Sequence, residues 1–181
     1  DVNSDDEAAT SLPLEVFESV DRGELLKMVQ WLDKGGSVDA YSSVPTNGDQ
    51  NATFGLLHAA ATQGHLEIAK ELLQRGANVD LRSSPVDGTA LMDAAEYGHV
   101  SLLLLLLNHS ANPDLQEFLG GTALMLAAES GHVACVKALL RANANTELLD
   151  VEGRTALRYA RAHGYKAIAK LIRQHAAPPQ P

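Results

Sequence analysis

The sequence predicts an all-α fold, a solenoid of stacked helix-turn-helix units, on three observations. The chain repeats itself at a near-constant period, each copy carries a helix-breaking glycine between two apolar stretches, and alanine is plentiful while aromatic residues make up only 4%. Fixed-period similarity of this length marks repeat architectures, in which one unit buries its apolar face only against its neighbours. Abundant alanine with few aromatics suits closely stacked helices better than a β-sandwich.

The segments LLHAAATQGHLEIAKELLQRGANVD, ALMDAAEYGHVSLLLLLLNHSANPD, ALMLAAESGHVACVKALLRANANTE and ALRYARAHGYKAIAKLIRQHAA align without internal gaps. Their glycines, Gly64, Gly98, Gly131 and Gly164, are 34, 33 and 33 residues apart. A fainter copy, EVFESVDRGELLKMVQWLDKGGSVD, has Gly23, 41 residues before Gly64. In each clear internal copy a short first helix carries paired small residues, such as Ala94 and Ala95, that let neighbouring helices approach. Glycine then breaks the helix because it tolerates left-handed backbone. A longer second helix follows with apolar residues at helical spacing, for example Leu66, Ile68, Ala69, Leu72 and Leu73. It closes at Gly76, Ser110 or Asn143, and a polar turn segment leads onward.

The run Leu102 to Leu107 belongs to the second helix of the third copy. It is far shorter than the about 20 apolar residues of a membrane span. Five of its leucines occupy apolar columns; Leu104 stands where the other clear copies have Lys70, Lys137 and Lys170, which predicts an exposed leucine. That leucine is either a tolerated surface residue or a lateral contact. The last copy has Arg161, Lys166 and Arg173 in small or apolar columns, and the first has Lys27 in one, so both ends read as polar caps.

The steps Gly64-His65, Gly98-His99 and Gly131-His132, the G-x-T-A-L of Gly120 to Leu124 and of Gly153 to Leu157, and the close Gly76-Ala77-Asn78-Val79-Asp80 resemble ankyrin repeats over residues 14 to 175. The family's Thr-Pro-Leu-His is degraded here: only His58 keeps the histidine, and Ala90, Ala123 and Ala156 replace proline. The resemblance implies an ankyrin-repeat solenoid whose helix-turn-helix units are joined by β-hairpin-type finger loops. Fingers and first helices would together form a concave binding face.

This reading divides the chain into an acidic flexible segment (1–12), one domain (13–175) and a Pro-rich tail (176–181). Its five repeats span about 14–40, 52–81, 86–115, 119–148 and 152–175, with a long first finger over 41–53 whose Pro45, Asn47 and Gly48 supply turn chemistry. Because the chain begins with Asp, it reads as a domain of something larger.

A formal charge of −9 argues against non-specific grip on nucleic acid, which needs clustered Lys and Arg. One cysteine, Cys135, rules out an internal disulfide and fits a reducing, intracellular setting; its apolar column predicts a buried, inert thiol. His65, His99 and His132 recur once per repeat, which is not ligand clustering, so no metal is expected. No nucleophile elbow, phosphate loop or zinc-protease motif occurs, so the expectation is a non-catalytic module without cofactor. Asp39, Asp80, Asp114 and Glu147 share one column and read as structural turn residues.

The family likeness places the partner-binding face just before each hinge glycine and at the finger tips. Here those positions are Thr62, Gln63, Glu96, Tyr97, Glu129 and Ser130, with Phe54, Phe118, Leu119, Glu152 and Arg154 on the fingers. Helical spacing adds Asp93 beside Glu96, and Met125 with Glu129. Three of the chain's eight aromatics, Phe54, Tyr97 and Phe118, fall on this face. Aromatic anchors carry much interface energy, although Phe54 or Phe118 packing between fingers is the competing reading. Acids mixed with apolar anchors suggest a monomeric module for a basic-plus-hydrophobic peptide or protein surface, without membrane or nucleic-acid partners. A recruiting domain of a larger ligase or kinase, or a spacer using Leu104, are the alternatives.

Overall fold

A computed structural model describes residues 12–44 and 52–176. The acidic stretch around Asp5, Asp6 and Glu7, the turn residues Pro45, Asn47 and Gly48, and the tail beyond Ala176 lie outside the described residues.

Five consecutive helix pairs make up the described chain: α1 (Leu14–Asp21) and α2 (Leu25–Asp33), α3 (Leu56–Gln63) and α4 (Leu66–Gln74), α5 (Ala90–Glu96) and α6 (Val100–Asn108), α7 (Ala123–Glu129) and α8 (Val133–Arg141), α9 (Ala156–Ala162) and α10 (Lys166–Ala176). First helices pack on first helices, and from α4 onward second helices pack on second helices, which gives two helical layers. Strands β1 (Tyr41–Val44) and β2 (Ala52–Gly55) pair antiparallel in the first finger, Tyr41 opposite Gly55 and Val44 opposite Ala52. Among the described residues, the later fingers form no strand pair with themselves and close on a pair of backbone bonds each, such as Glu117 N–H to Gly121 O (2.9 Å) with Gly120 N–H to Glu117 O (2.8 Å).

Leu12, inside the stretch expected to be flexible, is part of the fold. Leu12 is 3% exposed and its N–H donates to Tyr41 O. At the other end α10 reaches Ala176, where the tail was expected to start.

Local chemistry sets each helix. Thr89, Thr122 and Thr155 cap α5, α7 and α9, their hydroxyls accepting from the N–H of Met92, Met125 and Arg158. Such a cap stabilises a helix by about 1 kcal/mol. The paired alanines Ala60 and Ala61, Ala94 and Ala95, and Ala127 and Ala128 are fully buried where first helices meet. The first repeat holds Ser19 and Val20 at these positions, both buried, with the Ser19 hydroxyl donating to Val16 O. In α6, Leu102, Leu103 and Leu106 are buried and Leu105 and Leu107 half-buried, while Leu104 is 45% exposed, as its lysine column predicts. Full burial of one leucine contributes roughly 1.5–3 kcal/mol. Cys135 is buried in α8, and burial pushes its thiol up to about 11, so it is protonated and unreactive at neutral pH.

The recurrent histidines join one repeat to the next. The imidazole Nε2–H of His65, His99 and His132 donates to the carbonyls of Asp21, Thr62 and Glu96 respectively, each at 2.9 Å. The ring lies against the hinge glycine of the preceding repeat, where a Cβ on Gly98 would stand 2.6 Å from His132 Nδ1. In the last repeat Tyr165 takes the histidine's place against Gly131. A second tie runs along the acidic column: Asp39, Asp80 and Asp114 accept the backbone N–H of Asn78, Asn112 and Asn145 one repeat on, at 2.9, 3.1 and 2.7 Å.

Gly98 and Gly164 have nearly the same backbone, φ 77° and 75°, but only Gly98 faces a ring; no atom lies within 4 Å of a Cβ built on Gly164. Gly164→Ala is expected to cost about 1–2 kcal/mol for left-handed backbone alone. Gly98→Ala should cost at least about 1 kcal/mol more, because His132 must move and loses its bond to Glu96. Urea unfolding of the two variants measures the difference, and equal losses would remove the ring contact from the account.

Candidate functional site

First helices and fingers together enclose two adjoining recesses. The larger, about 420 Å³, runs past α5, α7 and α9 and the last two fingers. Its lining combines the apolar Val86, Leu119, Met125, Leu126 and Val151 with six carboxylates: Asp93, Glu96, Glu117, Glu129, Asp150 and Glu152. Arg154 is its one cation among the described residues. The smaller, about 270 Å³, is an aromatic notch bounded by Phe17, Phe54 and Tyr97, with Asp21, Ala59, Thr62 and Asp93.

The residues expected at a binding face fall into groups. Tyr97 and Phe118 are 52% and 74% exposed, and Leu119 is exposed beside Phe118. Phe118 therefore does not pack between fingers. Phe54 is half-buried on β2 and meets His58 edge to face, with centroids 6.5 Å apart. Glu96, Ser130 and Glu152 are exposed and Glu129 is half-buried. Met125 is only 2% exposed and serves as floor rather than contact surface. Thr62 and Gln63 are engaged within the fold, the Thr62 hydroxyl donating to His58 O (3.0 Å) and Gln63 Nε2 to Asp21 Oδ1 (2.8 Å).

Arg154 is likewise occupied. Its guanidinium pairs with Asp150 (2.8 Å) and Glu152 (2.9 Å) and lies 4.7 Å over the Tyr159 ring. Asp150, 7% exposed, accepts from the N–H groups of Glu152 and Arg154 and from the Tyr159 hydroxyl (2.7 Å). Burial alone would raise its carboxyl, but these donors outweigh it and hold the group well below the usual range. Burial and the bond to Asp150 push the Tyr159 hydroxyl up to about 12. Glu117 does similar work one finger earlier, accepting from the N–H groups of Leu119 and Gly121, each at 2.8 Å. These carboxylates close the fingers.

Neighbouring finger tips are tied by backbone bonds, Phe118 N–H to Val86 O (2.8 Å) and Val151 N–H to Leu119 O (2.9 Å). Val86 and Val151 are exposed there. Sequence reasoning missed both, although the repeat period pairs Val86 with Leu119 and Phe118 with Val151.

Asp93 borders both recesses. The residue is half-buried, but its Oδ2 is buried and has no hydrogen-bond partner. Burial, with Glu96 adding to it, pushes the Asp93 carboxyl up to about 7. Glu96 also raises the Tyr97 hydroxyl, more than burial does. The signal for Asp93 was present in the alignment, since the column holds Ala59, Leu126 and Tyr159 in the other clear copies.

A family model described as ankyrin repeats (3 copies) matches residues 18–117 and 91–180. The chain belongs to the ankyrin-repeat family. Ankyrin repeats are generally protein-interaction modules. Relatives include a putative ankyrin repeat protein, FPV014, of fowlpox virus, 37% identical over 104 residues covering 58% of this chain and 22% of the relative. A probable E3 ubiquitin-protein ligase, XBOS32, of Oryza sativa subsp. japonica is 42% identical over 63 residues, 35% of this chain and 12% of the relative. The human palmitoyltransferase ZDHHC13 is 38% identical over 60 residues, 33% and 10% respectively. The matched stretches are thus small parts of longer proteins. Among the described residues, no helix of this ankyrin chain is long and apolar enough to cross a membrane. No group of three or more His, Cys, Asp or Glu among them is placed to hold a metal ion.

The folded-state carboxyl of Asp93 ionises near 7 against an ordinary value of 3.8, so the native chain holds the extra proton between those values. Its stability therefore falls as pH rises through that window. Asp93→Asn is expected to be more stable than the natural chain at about pH 8, by on the order of a few kcal/mol, with the difference vanishing below about pH 4. Chemical unfolding at about pH 4, 6 and 8 measures it; an offset that does not change with pH would contradict the buried ionisation.

Proposed function

We propose that this ankyrin domain is a non-catalytic capture module for a peptide or protein surface that combines basic and apolar side chains. The observation that carries the reading is the lining of the larger recess. Six carboxylates face one guanidinium, which is already paired, and apolar side chains floor and rim the same space. The field there favours a cationic ligand and steers its approach, while the apolar surface supplies contact energy. Exposed cations stand away from it, Lys137, Arg141, Arg161, Lys166, Lys170 and Arg173 among them on the last three helices. Tyr97 and Phe118 serve as anchors, with Phe54 at the back of the notch and Asp93, Glu96 and Glu129 selecting charge. A single buried thiol supports an intracellular setting.

A second reading is favoured by the relatives. Two are named as a ubiquitin ligase and a palmitoyltransferase, and the matched stretches cover 12% and 10% of them. On that reading the same groove recruits a substrate or regulator for an enzyme of which it is a part.

The test is affinity capture from lysate, comparing the natural chain with Tyr97→Ala/Phe118→Ala and Glu96→Lys/Glu129→Lys. Both changes lie on exposed or half-buried side chains, so unfolding midpoints should shift by only about 0.5 kcal/mol per site. Loss of two anchors that a bound ligand would cover is expected to weaken capture at least about 30-fold, and charge reversal to slow association and flatten its salt dependence. Equal capture by all three proteins would rule out the groove.

A further inference from the structure

The fold itself supplies no partner for one oxygen of the carboxylate between the two recesses. Asp93 Oδ2 is buried without a hydrogen bond, while the residue borders both the acidic groove and the aromatic notch. A buried polar atom left unpaired costs about 1–3 kcal/mol, and a buried unpaired charge more, so native proteins generally pair such groups. Three other carboxylates of this groove are paired: Asp150 has Arg154 and Tyr159, Glu152 has Arg154, and Glu117 has two backbone N–H groups.

We propose that Asp93 selects a guanidinium group of the captured segment, which seats against its carboxylate where the two recesses meet, and that a proton leaves Asp93 to solvent as it does so. This rests on the groove reading above and names its specificity residue. A planar guanidinium suits the position because it pairs with a carboxylate in a fixed fork and is weakly hydrated, so it gives up water at modest cost. Its apolar stem, or a neighbouring apolar residue of the ligand, then lies against Phe17, Phe54 and Tyr97 in the notch.

The proton balance is simple. The unliganded site holds a carboxylic acid near neutrality; the complex holds a carboxylate and a guanidinium, and one proton is released. Affinity therefore rises with pH by up to about tenfold per unit below about 7 and levels off above it.

Other titratable and charged groups face Asp93 from the elements around it. Glu96 and Tyr97 share its helix, and Glu129 faces it from α7 and Glu117 from the finger. Asp150, Glu152, Arg154 and Tyr159 stand farther along the groove, and Asp21 faces it from α1 across the notch. On α3, Ala59 and Thr62 line the notch, while the buried His58 donates to Gly88 O and burial keeps it uncharged. His99, at the start of α6, donates to Thr62 O.

The test uses N-acetyl-arginine amide and its uncharged citrulline counterpart as probes, at matched ionic strength, on the natural chain and on Asp93→Asn. The readouts are a ¹³C titration of the Asp93 carboxyl and the backbone amide shifts of Tyr97 and Glu129. Arginine amide is expected to lower the Asp93 midpoint by at least about half a unit, and citrulline amide to leave it in place. In the natural chain the amide response should weaken several-fold from about pH 8 to about 5.5, and in Asp93→Asn it should not vary over that range. An unmoved Asp93 midpoint with responding amides would overturn this inference and leave the groove reading standing. An Asp93 midpoint near the ordinary carboxylate value would overturn the inference too. No response at any of these groups would overturn both.

Discussion

The architecture depends on one contact repeated along the stack: a ring seated on the hinge glycine of the repeat before it. The glycine meets two demands at once. Its backbone turns left-handed to reverse the chain, and its missing side chain leaves space for the imidazole that bonds the neighbouring hinge carbonyl. The spacing between hinges is thereby set by covalent period and ring geometry together. That spacing places the finger tips within hydrogen-bonding reach of one another. At Gly164, in the last of the five described helix pairs, no atom lies within 4 Å of a Cβ built on the glycine, and the surrounding surface carries Arg161, Lys166 and Arg173.

The groove inherits its character from this regularity. Identical positions in successive repeats line up along one wall, so a substitution in a single repeat stands out against its neighbours. Asp93 is such a substitution. It occupies a column whose neighbours Leu126 and Tyr159 are half-buried, and it is drawn to a depth where its charge is poorly solvated. Asp150 shows the opposite outcome for the same chemical group. It is more buried as a residue, yet it stays ionised because its finger turns two N–H groups and a guanidinium toward it and α9 adds the Tyr159 phenol. Depth alone does not decide the charge state; the supply of donors does.

The six leucines of α6 illustrate how periodicity outranks composition. A run that reads as oily in isolation is sorted by helical geometry into buried, half-buried and exposed positions, and Leu104 falls where other repeats place lysine. The same sorting took Met125 beneath the surface, while Tyr97, at the end of α5, and Phe118, on its finger, stay exposed. Surface aromatics of that size, beside acids, are what distinguish this groove from the plain outer layer.

By itself the sequence determined the repeat period, the helix pairs, the hinge glycines and the exposed column of Leu104. Those features rest on local backbone preference and on spacing along one chain, which recur visibly in every copy. Tertiary structure alone decided that Asp93 goes without a partner, that Arg154 and Thr62 are spent on the fold, that Leu12 is part of it, and that Val86 and Val151 join Phe118 at the tips. Each of these depends on depth or on contacts between residues far apart in the chain. Burial and pairing of charge are properties of the assembled surface, and a column of letters records the residue but not the solvent around it.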